Sequence, residues 1–255
     1  SGRLMIEQYA QKLEKANQEL DHFAYIASHD LRAPLRGMDN MIEWITEDLG
    51  ERADENIQHK LSLLGNRVSR MDALLTDILS YSRVGKSDGP LETIDCQLLL
   101  EEICSWIDTP EDFSITFSDN LPIITSHKTL LEQIFLNLLS NAVKHHDRDK
   151  GRVFIGYKCL DQYHQFTIQD DGPGISQKFQ DRIFEMFQTL KPRDEVEGSG
   201  IGLSVVKKLI EAVNGKITVS SIDGRRGTEF CVMLPIIDSD TITHEQVTYE
   251  DRKAS

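Results

Sequence analysis

The sequence predicts a two-part chain. An all-α helical hairpin, which becomes a four-helix bundle as a dimer, precedes an α+β sandwich of mixed sheet and helices. Three observations carry this. Two long apolar series at alternating spacings of three and four meet at a glycine turn near residue 50. The polar stretch VGKSDGP then ends the helical pattern. Beyond it, apolar residues recur every second position in short segments separated by helix-like stretches.

The first helix carries Ile6, Tyr9, Leu13, Ala16, Leu20, Phe23 and Ala27 on a heptad-like seam with charged residues between them, so residues 1–22 read as a coiled coil. The pattern begins without a cap or an initiator methionine. An upstream input domain is therefore expected to feed this helix, with Ser1 and Gly2 as a tag remnant. The seam continues through Leu31, Leu35, Met38, Ile42, Ile45 and Leu49 and stops at Gly50, with Asp54 placed to cap the next helix. Ile57, Leu61, Leu64, Val68, Met71, Leu75, Ile78 and Ser82 keep the spacing for roughly 45 Å of helix. A hairpin with so apolar a stripe cannot bury it alone, which points to a homodimer. An unrelated coiled-coil stalk fits the same pattern.

Residues 85–91 read as a linker and 92–237 as the second domain. SITFSD, RVFIGYKC, YHQFTIQD, KITVSS and TEFCVMLP alternate as strands; CQLLLEEICSWI, KTLLEQIFLNLLSNAVKHH, QKFQDRIFEMF and GIGLSVVKKLIEAV read as helices. The polar segment 238–255 has nothing that needs burying and reads as a tail or linker.

Composition excludes several function classes. The 255 residues, 39% hydrophobic, contain no run of about 18 apolar residues and no secretory h-region, so a segment without membrane insertion, located in the cytoplasm, is expected. A net charge of -14 disfavours nucleic acid and anionic lipid as partners. Cys96, Cys104, Cys159 and Cys231 lack CxxC spacing and read as buried thiols of a reducing compartment.

Three stretches of the second domain carry chemistry. DDGPGIS follows a strand, and GSGIGLSVVKK opens a helix, where Gly198, Gly200 and Gly202 let backbone amides approach phosphate oxygens. In NLLSNAVKHH, Asn137 and Asn141 lie four apart on one helical face, with Lys144 three further on. Mid-helix asparagines are unfavourable. They suit presentation to a ligand, Asn141 to a hard cation and Lys144 to phosphate, or else a solvated face. A dinucleotide-binding fold would need its glycines between the strand and helix of an early βαβ unit, and the order here is wrong for that.

Taken in order, these boxes resemble the N box, DxGxG and GxGxG motifs of the ATP-binding domain shared by sensor histidine kinases, type II topoisomerases, a heat-shock chaperone and mismatch-repair ATPases, the GHKL or Bergerat fold. SHDLRAPL on its hairpin is similar to the H box of two-component sensor histidine kinases. The resemblance covers about residues 10–237. It implies that Asp170 accepts a hydrogen bond from the adenine amino group, with Gly172 and Gly174 giving the base room and Asp171 variable. It implies that Asn141 helps hold magnesium, that Asn137 and Lys144 lie near the polyphosphate, and that Gly198, Gly200, Gly202 and Leu203 belong to the phosphate-wrapping box. Phe184 and Phe187 match the aromatic box, and QTLKPRDEVE the lid. ATP and Mg2+ are the implied cofactors, and 23–84 becomes the dimerisation and phosphotransfer hairpin.

Hydrolytic members of that superfamily place a glutamate where this chain has Asn137, so no base for water is evident. Phosphoryl transfer needs mainly positioning and charge neutralisation, and a nucleophile from the other domain supplies the acceptor. Neutral imidazole is a competent nucleophile, and an adjacent carboxylate orients the ring and takes its proton. His29 is that nucleophile and Asp30 the orienter or base. Arg32 is expected to counter phosphate charge, and Pro34 to permit a helix bend. The other seven histidines are expected to have no chemical role. The implied product chemistry is transfer from His29 to an aspartate on a response regulator receiver domain. Many relatives carry Thr or Asn four residues after the histidine. Ala33 stands there, so strong kinase and weak phosphatase activity are expected. A nucleotide-binding scaffold and a chaperone-like ATPase are the competing classes.

Overall fold

The computed structural model describes residues 2–83, 90–188 and 200–237, in two compact units that divide between Arg83 and Val84. In the first unit, α1 (Gly2–Leu49) and α2 (Glu55–Arg83) form the hairpin. α1 runs unbroken through Pro34. Gly50, at φ 47°, takes the left-handed conformation that lets the chain leave α1, and the single turn Gly50–Arg52 follows. Asp54 Oδ1 accepts the Ile57 N–H at 2.8 Å, capping α2.

The seam divides between two environments. Leu35, Val68 and Leu75, with Ile42 beside them, pack inside the hairpin. Leu31, Met38, Ile45, Leu64 and Met71 stay between 46% and 55% exposed. The side chains of Ile6, Leu13, Ala16, Leu20 and Phe23 lie outside the described residues; Tyr9 is exposed.

In the second unit, the ladder order is β2 (Ser114–Phe117), β4 (Arg152–Cys159), β5 (Tyr163–Asp170), β7 (Thr228–Pro235), β6 (Lys216–Ser220), with only β2 and β4 parallel. Alternation sends Val153, Ile155, Phe166, Ile168, Phe230 and Val232 to one face, where all are buried. Against that core lie the apolar faces of α3 (Cys96–Ser105), α4 (Lys128–Lys144) and α6 (Gly202–Ala212), including Leu100, Phe135, Leu138 and Val206. Phe135 meets Phe166 edge-on at 5.2 Å.

Three features differ from the sequence reading. β1 (Leu91–Asp95) and β3 (Ile123–His127) form an antiparallel two-stranded sheet; each is only five residues long, and LETID carries two carboxylates that mask its alternation. Asp95 ends β1 and caps α3, its Oδ1 accepting from Gln97 and Leu98. The helix expected over QKFQDRIFEMF is α5 (Gln177–Gln180) alone, followed by tight turns to Phe187, whose φ of 64° ends any helical path. Third, only Cys96 is fully buried, its thiol pushed up to about 12 by desolvation and then by Asp95. Cys159 is exposed because it closes β4 beside the β4–β5 turn. No helix among the described residues is long and apolar enough to cross a membrane.

Candidate active site

His29 projects from α1 with its side chain 74% exposed, and its Nδ1 lies 3.2 Å from Asp30 Oδ1. With the ring proton on Nδ1 and donated to Asp30, Nε2 carries its lone pair into solvent. Arg32, expected to counter phosphate charge, meets side chains of α2. Its Nε is 3.3 Å from Asp72 Oδ1, a charge contact short of hydrogen-bond geometry, and its Nη2 reaches Thr76 Oγ1 at 3.4 Å. Both partners belong to α2, so the guanidinium ties the two helices together; a spacing argument along α1 alone has no access to them.

In the second unit, Asp170 ends β5 on the same strand face as Phe166 and Ile168. Its Oδ1 accepts the Gly172 N–H at 2.8 Å. Burial pushes this carboxyl up, against hydrogen bonds from the backbones of Gly172 and Thr228. Gly174, at φ 81°, has no room for a side chain: a Cβ there would lie 2.8 Å from Ser221 Oγ and 3.1 Å from Arg225 O. Gly172 is likewise closed, by Asp170 Oδ1 at 2.9 Å and the His146 ring at 3.3 Å.

α4 supplies the polar side chains. Asn137 Nδ2 donates to Gln133 O at 2.8 Å, and a Cβ on Gly202 would come within 2.6 Å of Asn137 Oδ1. The structure thus brings Asn137 against the first turn of α6, where backbone N–H groups gather. Asn141 is half-buried one turn on, Lys144 is exposed at the end of α4, and Leu203 is half-buried in α6. Gly200, at φ 71°, closely approaches Phe187 and Gln188. Gly198 and the expected lid beyond Gln188 lie outside the described residues. Phe184 packs edge-on to Phe230, whereas Phe187 is 44% exposed. A groove of about 690 Å³ borders the Asp170 loop, lined by Asp170, Asp171, Arg226 and Thr228 together with Phe154 and Gln169.

The His Kinase A (phospho-acceptor) family model matches residues 19–87, and the model for histidine kinase-, DNA gyrase B- and HSP90-like ATPases matches 126–238. The chain belongs to the sensor histidine kinases. Cyanobacterial phytochrome A of Nostoc sp. is 33% identical over 91% of this histidine kinase chain, and cyanobacterial phytochrome B of the same organism 34% over 85%. The chain spans 30% of the length of either phytochrome. Among solved structures, full-length ShkA in complex with AMPPNP superposes with a TM-score of 0.64 at 26% identity, over 85% of this chain and 46% of that one. Histidine kinase ThkA in complex with response regulator protein TrrA shares the fold, with a TM-score of 0.60 at 20% identity, over 91% and 67%.

The kinase also has residues around the Asp170 loop that the sequence reading passed over. His146, assigned no role, has a side chain only 1% exposed, with Nε2 3.1 Å from Asp171 Oδ1. Asp171 additionally accepts the Arg152 N–H at 2.7 Å. Burial pushes Asp171 up, but these bonds prevail and hold its carboxyl below the usual range. Arg226 binds Asp147, whose carboxyl it holds well below that range. Their separations of 19 to 79 residues leave no local signal in the sequence.

Proposed function

We propose that this segment is a homodimeric kinase core that phosphorylates His29 from Mg-ATP and passes the phosphoryl group to an aspartate of a response regulator. The observation that carries the proposal is the solvent-facing imidazole of His29 with Asp30 at its Nδ1. Nε2 attacks the γ-phosphorus, the bond to the β–γ bridging oxygen breaks, and ADP leaves. The Nδ1 proton passes to Asp30 or to water. Asp170 accepts from the adenine amino group, and Gly172 and Gly174 keep the loop clear for the base. Asn137, Lys144 and the N-terminus of α6, with Gly198, Gly200, Gly202 and Leu203, face the polyphosphate.

Asn141 offers one neutral amide oxygen, a donor suited to Mg2+ that phosphates and water otherwise surround. When bound, that ion neutralises charge developing on the phosphates. Homodimerisation rests on the exposed half of the seam, Leu31, Met38, Ile45, Leu64 and Met71. The receiver partner rests on the phosphoacceptor-domain match and on the TrrA complex of a fold neighbour. In this reading 1–22 is the signalling coiled coil of an upstream sensory domain, 23–84 the phosphotransfer hairpin, 85–91 the linker, 92–237 the catalytic domain and 238–255 a tail.

Incubating the protein and its His29→Gln variant with γ-labelled ATP and magnesium tests this. Acid-labile, alkali-stable label that the variant lacks is expected. Label that persists in the variant moves the acceptor elsewhere; nucleotide binding without label makes the segment a scaffold.

A further inference from the structure

Arg226 and Gly227 of the β6–β7 turn, with Thr228 at the start of β7, hold Asp170 at the end of β5 and the two residues that follow it. Arg226 Nε donates to Asp171 O at 3.0 Å, the Gly227 N–H donates to Gly172 O at 2.9 Å, and the Thr228 backbone bonds the Asp170 carboxylate. The rest of the Arg226 guanidinium grips Asp147 in a fork, Nη1 to Oδ2 at 2.9 Å and Nη2 to Oδ1 at 2.7 Å. Asp147 stands three residues beyond the end of α4, the helix that carries Asn137 and Asn141. Its neighbour His146 meets Asp171 from the same side. One arginine side chain therefore joins the backbone of the Asp170 loop to the exit of the asparagine helix.

We propose that Arg226 is a positioning residue for nucleotide selectivity: by clasping Asp147 and Asp171 O together, it sets where the Asp170 carboxylate stands relative to the α4 side chains. This rests on Asp170 as the adenine anchor. The physical need is plain. A loop with glycines at 172 and 174 has little side-chain packing of its own, so its position comes from what binds its backbone. Arginine suits the task because its fork reaches a carboxylate with two nitrogens while Nε remains free for a carbonyl.

The test compares affinities of the whole chain for ATP and for purine riboside triphosphate, which lacks the 6-amino group, together with labelling at saturating ATP. Wild type is expected to prefer ATP by about tenfold or more. In Arg226→Ala the ATP dissociation constant and KM rise by about tenfold, the analogue weakens by less than about threefold, and the maximal labelling rate stays within about threefold. Asp147→Asn, nearly isosteric, shows the same narrowing to a smaller degree and serves if the alanine variant does not fold. Equal weakening of both nucleotides reduces Arg226 to a stabilising contact and overturns the proposal, as does unchanged ATP affinity. A wild type indifferent to the 6-amino group removes the Asp170 reading itself, a result distinguishable because it appears before any substitution.

Discussion

Asp170→Asn separates binding from stability by sign. Burial raises the Asp170 carboxyl above the ordinary aspartate range, so its ionised form at neutral pH opposes folding of the nucleotide-free protein. A neutral asparagine removes that cost, and its single oxygen still accepts the Gly172 N–H. Without nucleotide, the variant is therefore expected to melt at or above the wild-type temperature. Binding moves the other way. The amide keeps its oxygen on Gly172 and turns its NH2 toward the adenine amino group, opposing two donors and losing a charge-assisted bond. The cost is about 2–4 kcal/mol, or roughly 30- to 1000-fold in Kd. At an ATP concentration about 100 times Kd, binding stabilises wild type by about 2.7 kcal/mol; a site weakened a hundredfold retains only about 0.4 kcal/mol there. Paired thermal melts with and without ATP, backed by calorimetric titration, read both effects. A variant that keeps wild-type ATP affinity within threefold refutes Asp170 as the adenine contact.

Gly174→Ala forces a side chain onto a φ of 81° and against Ser221 Oγ, so a stability loss of about 1–3 kcal/mol is expected in denaturant unfolding; an unchanged midpoint contradicts the described loop. Asp147, held below its ordinary range by Arg226, contributes stability that is present above the unfolded aspartate pKa of about 3.9 and is lost as pH falls through the lower folded value. Asp147→Asn should therefore flatten the acid limb of the stability profile below about pH 4, and a limb identical to wild type counts against that pair. Met38→Lys with Met71→Lys puts charge into the exposed half-seam and should yield monomers by light scattering with helicity intact; a persistent dimer places the interface elsewhere. Ala33→Thr should raise nucleotide-stimulated dephosphorylation of a phosphorylated receiver in a His29→Ala background; equally strong activity with alanine in place would sink the argument from the missing hydroxyl.

Much of the fold was legible because its signals are local. The 3–4 spacing of the seam, ended by Gly50 and restarted by Asp54, marks α1 and α2 within a residue or two. RVFIGYKC, YHQFTIQD and TEFCVMLP coincide with β4, β5 and β7 because inner-face burial imposes strict alternation. Where two periods compete, local reading fails: Phe179, Ile183, Phe184 and Phe187 sit at helical spacing, yet the chain after Gln180 turns. There the Gln180 amide donates to Ile175 O and Ser221 O, and Phe184 packs on Phe230.

The sequence by itself determined the chemical inventory: a histidine beside a carboxylate on a long helix, asparagines one turn apart, and glycines clustered in two short stretches. Such features are recognisable because helix and turn geometry relate residues a few positions apart. Only the tertiary structure decided which half of the seam closes the hairpin, that Arg32 faces Asp72, and that Asp171 and Arg226 brace the Asp170 loop. Those outcomes depend on partners 25 to 79 residues away, brought together by strand register and helix packing that no local spacing encodes.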